Sequence, residues 1–258
     1  VASAAKSYGY VELCNLKQSY GVKVAQFNAR MAKGIERPGD HVEEVTALAK
    51  AKGRDLRGMD FSNKRLKGID LSGAKLDKAN FTGAYLGLAN LSKASLKGAI
   101  FDRTNLVKTN LRGAQLESAS FKQLVIDEAD LTQAQMNGAV FEGVTLDGVN
   151  LNDAQLPNVR FVNSTITGTL PSFNVVDGTL SNLTIKKARI ERLRTVRTTM
   201  TEVTFVESEL PNILIDLSKI SGLTSKKSTW NGGVSGSQVT KLVIEDSTIS
   251  RVTFSAST

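Results

Sequence analysis

The chain has 258 residues and a formal net charge of +8, with 41% hydrophobic but only 6% aromatic residues. A single histidine, His41, and a single cysteine, Cys14, exclude an intrachain disulfide, a zinc site of the usual ligand types and a nucleophile–base pair. No apolar run approaches the roughly 18 residues of a membrane-spanning helix, and residues 1–54 carry about +4, 55–166 about +1 and 167–258 about +3.

The chain opens on Val1 rather than Met, as a processed or engineered start would. Val22 to Lys33 reads as a short helix, with Val24, Phe27, Asn28 and Met31 at helical spacing. Glu36-Arg37-Pro38-Gly39 reads as a turn. Asp40 is then expected as a helix N-cap with Glu43 as its capping-box partner. Val42, Val45, Leu48 and Ala49 form an apolar stripe, and Gly53 ends the helix. His41, in the first turn, reads as a solvated helix-end residue rather than a catalytic one. Residues 1–54 are expected to form a helical cap over an open strand edge, which would otherwise invite pairing with other chains.

Residues 55–166 are governed by a step of five. From Leu56, Phe61, Leu66 and Leu71 through to Phe161 and Ile166, every fifth residue is large and apolar. Two positions before each lies a second column, often alanine, as at Ala74, Ala79, Ala84, Ala89, Ala94 and Ala99, and otherwise mostly Thr, Val, Ile, Leu or Ser. Five is neither the 3.6 of a helix nor the 2 of a strand. It is an internal repeat, and a repeat decides the architecture. The phenylalanines at 61, 81, 101, 121, 141 and 161 recur every twenty residues. Four units therefore make one turn, and Phe81, Phe101, Phe121 and Phe141 are predicted to stack in a single column.

The units Ala79-Asn80-Phe81, Ala89-Asn90-Leu91 and Ala129-Asp130-Leu131 resemble the A-(D/N)-L-x-x consensus of the pentapeptide-repeat family, with looser copies at Ile69-Asp70-Leu71 and Thr109-Asn110-Leu111. The resemblance implies an all-β fold, a right-handed quadrilateral parallel β-helix, here with a small N-terminal α-helical cap. Arg54 and Lys64 place charge in the small-residue column. The first turn is expected to fray there or to be covered by the N-terminal segment.

After Ile166 the phase slips by one, and Leu170, Val175, Leu180 and Ile185 resume the step of five through Ile220. Residues 167–221 are read as a degenerate continuation, with Pro171 at a corner or bulge that tolerates it. Residues 222–240, rich in Gly, Ser and Thr, read as a loop. Residues 241–258 are read as a last coil, with Leu242, Ile244, Ile249 and Phe254 in its inward columns.

No phosphate-binding glycine motif is present, and carboxylates fall on outward positions of the repeat. No catalytic, cofactor-binding or metal-binding residue is assigned, and neither a cofactor nor a small-molecule substrate is expected. One basic cluster stands out: Lys186, Lys187, Arg189, Arg192, Arg194 and Arg197, all outside the inward columns. Adding twenty places Glu207 over Lys187 and Glu209 over Arg189, and no aromatic residues interleave. Only weak, salt-sensitive nucleic-acid binding is expected there. Trp230, in the Gly-rich stretch, is read as a contact anchor or as a plug folded over the last coil.

The function expected is a non-enzymatic scaffold that presents flat faces to other proteins. The alternatives are a structural component of a virion or secreted assembly and a substrate-targeting segment of a bacterial effector, which repeats of this kind resemble. Some members of the family bind DNA gyrase by imitating the negative surface of duplex DNA. That topoisomerase-binding role needs a negative solenoid, whereas this repeat is near neutral. Other proteins are the expected partners, a second copy of the chain included, through a docking end at Leu242, Ile244 and Phe254. The family resemblance adds end-to-end pairing through C-termini.

Overall fold

A computed structural model describes residues 41–170 and 172–255. The expected helix over 22–33, the turn at 36–39, Asp40 and Pro171 lie outside those residues.

The first described element is a helix, Val42–Ala51, closed by Gly53, whose φ of 57° suits the left-handed position after a helix. Val45 and Ala49 are buried in the main core, and Val42 and Leu48 pack against it. The helix therefore covers the first coil with the apolar stripe read from the sequence. Glu44 also reaches the Nζ of Lys64 at 3.5 Å, so one of the two charges in the small column is held by the helix. The other, Arg54, donates to the carbonyl of Asp70 at 3.2 Å.

The start of the helix differs from the expected capping box. His41, not Asp40, occupies the N-cap position, and its side chain makes no cap bond. Its Nδ1 instead accepts the backbone N–H of Arg65 at 3.1 Å. The histidine is half-buried against the first coils rather than solvated. Replacing His41 with alanine is expected to cost about 1 kcal/mol, the usual worth of one such bond. Denaturant melts of the two proteins check it.

From Asp55 the chain winds as a four-sided parallel β-solenoid. Each unit contributes a short extended side and a corner. In the first coils the sides are single parallel bridges that follow the twenty-residue offset, Asp55 to Lys75 to Ser95 to Gln115 to Gln135 to Gln155. Backbone hydrogen bonds repeat at the same spacing, as in Leu56 N–H to Lys75 O at 2.8 Å and Leu76 N–H to Ser95 O at 2.7 Å. From Ser120 onward the sides lengthen into strands, with Phe121 beside Phe141 and Phe141 beside Phe161. Corners place a residue in the left-handed region, as at Gly73 (φ 62°) and Asn63 (φ 58°), and also at long polar residues such as Lys78, Lys93 and Arg103.

The large inward column is closed to solvent: from Leu56 to Ile166 no member is more than 3% exposed. Phe81, Phe101, Phe121 and Phe141 do stack in one column, with centroids 5.2, 5.0 and 4.7 Å apart and planes within 8°. Phe61 and Phe161 extend it at either end.

The slip after Ile166 is a corner one residue short. Ile185 pairs with Ile166, nineteen residues back, whereas Ile190 pairs with Leu170, twenty back. Gly168 makes the shorter corner possible. Its φ is 75°, and a Cβ there would lie 2.7 Å from the backbone nitrogen of Gly148.

Residues 222–240 are not a loop. Strands Lys219–Lys226, Thr229–Ser235 and Gln238–Glu245 continue the parallel stack. Ser225, Trp230 and Val234 fill the inward column there, each no more than 2% exposed. Two features disguised the repeat. A second short corner lies between Trp230 and Val234, so the step of five is broken once. The glycines serve close packing, not looseness: a Cβ on Gly232 would lie 1.8 Å from the carbonyl oxygen of Ile213.

The serines are structural too. In the small column, hydroxyls replace alanine and form ladders between coils. Thr198 N–H donates to Ser218 Oγ at 3.1 Å, and Ser218 N–H to Ser237 Oγ at 3.0 Å. On another side Ser208 N–H donates to Ser228 Oγ, and Ser228 N–H to Ser247 Oγ, both at 3.1 Å. Ser208, Ser218 and Ser228 each donate to the carbonyl two residues before, at 2.8 Å. A buried hydroxyl satisfied in this way costs little and adds a directional tie between coils.

Candidate interaction surface

The six cations of the basic cluster are all exposed, as the alternation of the strands requires. Ile185, Ala188, Ile190, Leu193 and Thr195 point inward between them, each no more than 3% exposed. The structure divides the six into two groups. Lys187 pairs with Glu207 at 3.8 Å. Arg189 pairs with Glu209 across the coils and with Glu191 at 2.6 Å along its own side. Arg197 chelates Asp177 with two bonds of 2.7 and 2.8 Å. Lys186, Arg192 and Arg194 have no ion-pair partner among the described residues.

The paired groups titrate accordingly. The hydrogen bonds from Arg197 hold the Asp177 carboxyl below the usual carboxylate range, and the same bonds raise Arg197. The carboxylate of Glu191, then that of Glu209, raises Arg189. These pairs are exposed and contribute little stability. Their consequence is electrostatic: they cancel half of the cluster and leave the net positive field at Arg192, Arg194 and Lys186.

Arg192 and Arg194 line a groove of about 310 Å³ together with Pro211, Asn212, Leu214, Asn231 and Gly232. A second groove of about 220 Å³ shares Pro211 and Asn231 and is lined by Arg189, Glu209, Trp230, Thr248 and Ser250. Both sit at the short corner, where pairing shifts between Leu210 and Ile213 on one strand and Trp230 and Gly232 on the next. Sequence reading missed Pro211, Asn212, Leu214 and Asn231 as lining residues. The signal available was the four-residue step from Trp230 to Val234.

Trp230 is not an exposed contact anchor. It is 2% exposed, pairs with Leu210 and Ile249 in the stack, and lies 6.2 Å from Phe205. Its position in the large inward column explains this. Its Nε1 is buried with no acceptor among the described residues. Leu242 and Ile244 pair with Leu223 and Ser225, and Ile244 is 45% exposed. Phe254 pairs with Val234 through its backbone, and its side chain lies outside the description.

Among the described residues, no group of three or more metal-ligating side chains gathers, and no helix is long and apolar enough to cross a membrane.

Five-residue units, a twenty-residue coil and a stacked phenylalanine column define a parallel β-solenoid of pentapeptide units. The family model for pentapeptide repeats matches in eight copies, over residues 55–87, 84–123 and 126–162. The chain belongs to the pentapeptide-repeat family. Among solved structures it is similar to HetL, a pentapeptide repeat protein involved in heterocyst differentiation regulation in the cyanobacterium Nostoc sp. strain PCC 7120. The identity is 15%, over 79% of this chain and 92% of that one, with a TM-score of 0.50. A pentapeptide repeat protein of the Arabidopsis thaliana thylakoid lumen is 30% identical over 40% of this chain and 68% of its own, with a TM-score of 0.27. Full-length QnrB1, a plasmid-mediated fluoroquinolone resistance protein, is 12% identical over 76% of this chain and 91% of its own, with a TM-score of 0.28. No curated protein matches the sequence.

Proposed function

We propose that the protein is a non-enzymatic interaction scaffold whose solenoid faces bind other proteins. The observation that supports this most is the condition of those faces. Stacked side chains of opposite charge, such as Lys97 and Glu117 at 3.3 Å, Lys108 and Glu128 at 3.5 Å and Lys122 and Glu142 at 3.6 Å, line up coil on coil. They give firm, nearly neutral outer surfaces, suited to apposition against another folded surface and unsuited to imitating the charge of duplex DNA. The test is capture by the full chain from its native source, identification by mass, and reconstitution with the purified partner. A partner that binds in a fixed stoichiometry supports the reading. Failure of every captured protein to bind when purified overturns it.

The coil carrying Leu242, Ile244 and Phe254 is proposed as one docking surface of that scaffold, for a second copy of the chain. Its support is Ile244, 45% exposed, with Val239, Leu242 and Ile249 beside it only partly buried. Light scattering over a wide concentration range is expected to show association of the wild type and its loss on Ile244→Glu. A wild type that stays monomeric at high concentration removes this docking surface.

A further inference from the structure

We propose that the groove between Arg192–Arg194 and Asn231–Gly232 binds an acidic, extended peptide segment of a partner protein. This rests on the scaffold reading and gives that scaffold a specific recognition site.

Charge complementarity is the first argument. Some of the cations on this solenoid find a carboxylate about one coil away, as Lys97, Lys108, Lys122, Lys187, Arg197 and Lys226 do. Arg194 does not, because its neighbours in the stack are Asn174 and Leu214. Arg192 has no ion-pair partner either, so two exposed guanidiniums converge on one groove uncompensated. A guanidinium fork matches a carboxylate with two parallel hydrogen bonds.

Shape is the second. The short corner at Trp230–Val234 carries a concave site. Gly232 lies at its floor with no side chain, and none would fit against Ile213. The remaining lining is mixed. Leu214, 40% exposed, and Pro211 offer apolar surface. Asn212 spends its Nδ2 on the carbonyl of Glu191, which leaves Oδ1 free to accept a peptide N–H. Guanidiniums, an amide acceptor and an exposed leucine together suit a peptide that alternates acidic and apolar side chains.

Nucleic acid fits less well. Only two adjacent guanidiniums line the groove, so few phosphates could be neutralised at once. The one tryptophan is buried and offers no stacking platform.

The test uses the full chain and a fluorescein-labelled octapeptide of alternating Glu and Leu, at about 150 mM salt. A Gln/Leu octapeptide and a short DNA duplex are the comparison probes. Anisotropy reads binding, and the emission of Trp230, the sole tryptophan, reads the site. The Glu/Leu peptide is expected to bind and to shift the tryptophan emission. The Gln/Leu peptide and the double variant Arg192→Ala/Arg194→Ala are expected to bind at least about tenfold more weakly, as befits lost charge-assisted bonds. Lys122→Ala, a paired cation on another coil, is expected to leave binding unchanged. Arg192→Gln/Arg194→Gln repeats the measurement should the alanine pair unfold. The proposal is overturned if the Glu/Leu peptide fails to bind at about 1 mM, if it binds the double variant equally, or if the duplex binds more tightly. A purified partner that binds wild type and double variant alike would remove the groove and leave the scaffold reading standing.

Discussion

Replacing Phe101 with alanine will lower the stability of the solenoid by about 3–5 kcal/mol, the range for deleting a buried aromatic ring. The ring is fully buried, between Phe81 at 5.2 Å and Phe121 at 5.0 Å, with planes within 8° of both. The void cannot collapse easily, because the coils are held at fixed spacing by bonds such as Phe101 N–H to Ser120 O at 2.8 Å. Phe101→Leu, which refills most of the space, is expected to recover more than half of the loss. Urea melts of the three proteins measure it. A loss below about 1 kcal/mol for the alanine variant would show that the column is not the core it is described to be.

Replacing Gly232 with alanine will be at least as damaging to the coils around it. The added carbon would sit 1.8 Å from a backbone carbonyl oxygen, that of Ile213, and the φ of 152° is one that L residues rarely adopt. Strand Thr229–Ser235 must move, and with it its pairing to Glu209–Asp216 and Thr248–Ser255. A loss of about 3 kcal/mol or more is expected, seen as faster amide exchange in those three strands. Gly73→Ala is the control. Its φ is also left-handed, at 62°, but nothing lies within 4 Å of the added carbon. Only the backbone strain of about 1–2 kcal/mol should appear. Equal effects at the two glycines would mean that the short corner is not tightly packed.

The architecture was legible wherever the step of five ran unbroken. Phe101 and its stacked neighbours could be placed in one column by arithmetic alone, because a twenty-residue coil makes sequence distance and axial distance the same thing. Adding twenty also found the partners of Lys187 and Arg189. What arithmetic could not find was set by local sterics. At Gly168 and Gly232 the chain cuts a corner by one residue, and the second cut made an ordinary strand look like a loop. Trp230 was misplaced for a different reason: it lies two steps of five after Ile220, in phase, but the Gly and Ser around it and the slip that follows hid the repeat. Serine in the small column looked like loop composition because a hydroxyl there is useful only when the coil above offers it a backbone N–H. His41 was read as helix-bound and solvated, yet its partner is Arg65, a residue no local pattern connects to it. The groove had no signature in the cations themselves. It depended on which of them lacked a carboxylate in the stack and on where a corner was short.

The twenty-residue register also makes length a quantised variable of this protein. Each coil hands the next the same eight inward positions and the same set of backbone donors and acceptors, so Asn90 meets Asn110 as Asn80 meets Ile100. A whole coil can be gained or lost by recombination without any junction having to be reinvented, whereas a gain of seven or eleven residues would break every ladder downstream. The corners at Gly168 and Gly232 show the one tolerance in this rule, a single-residue edit absorbed at a bend. The distance between any two surface features along the axis is therefore set in steps of one strand spacing, about 4.8 Å.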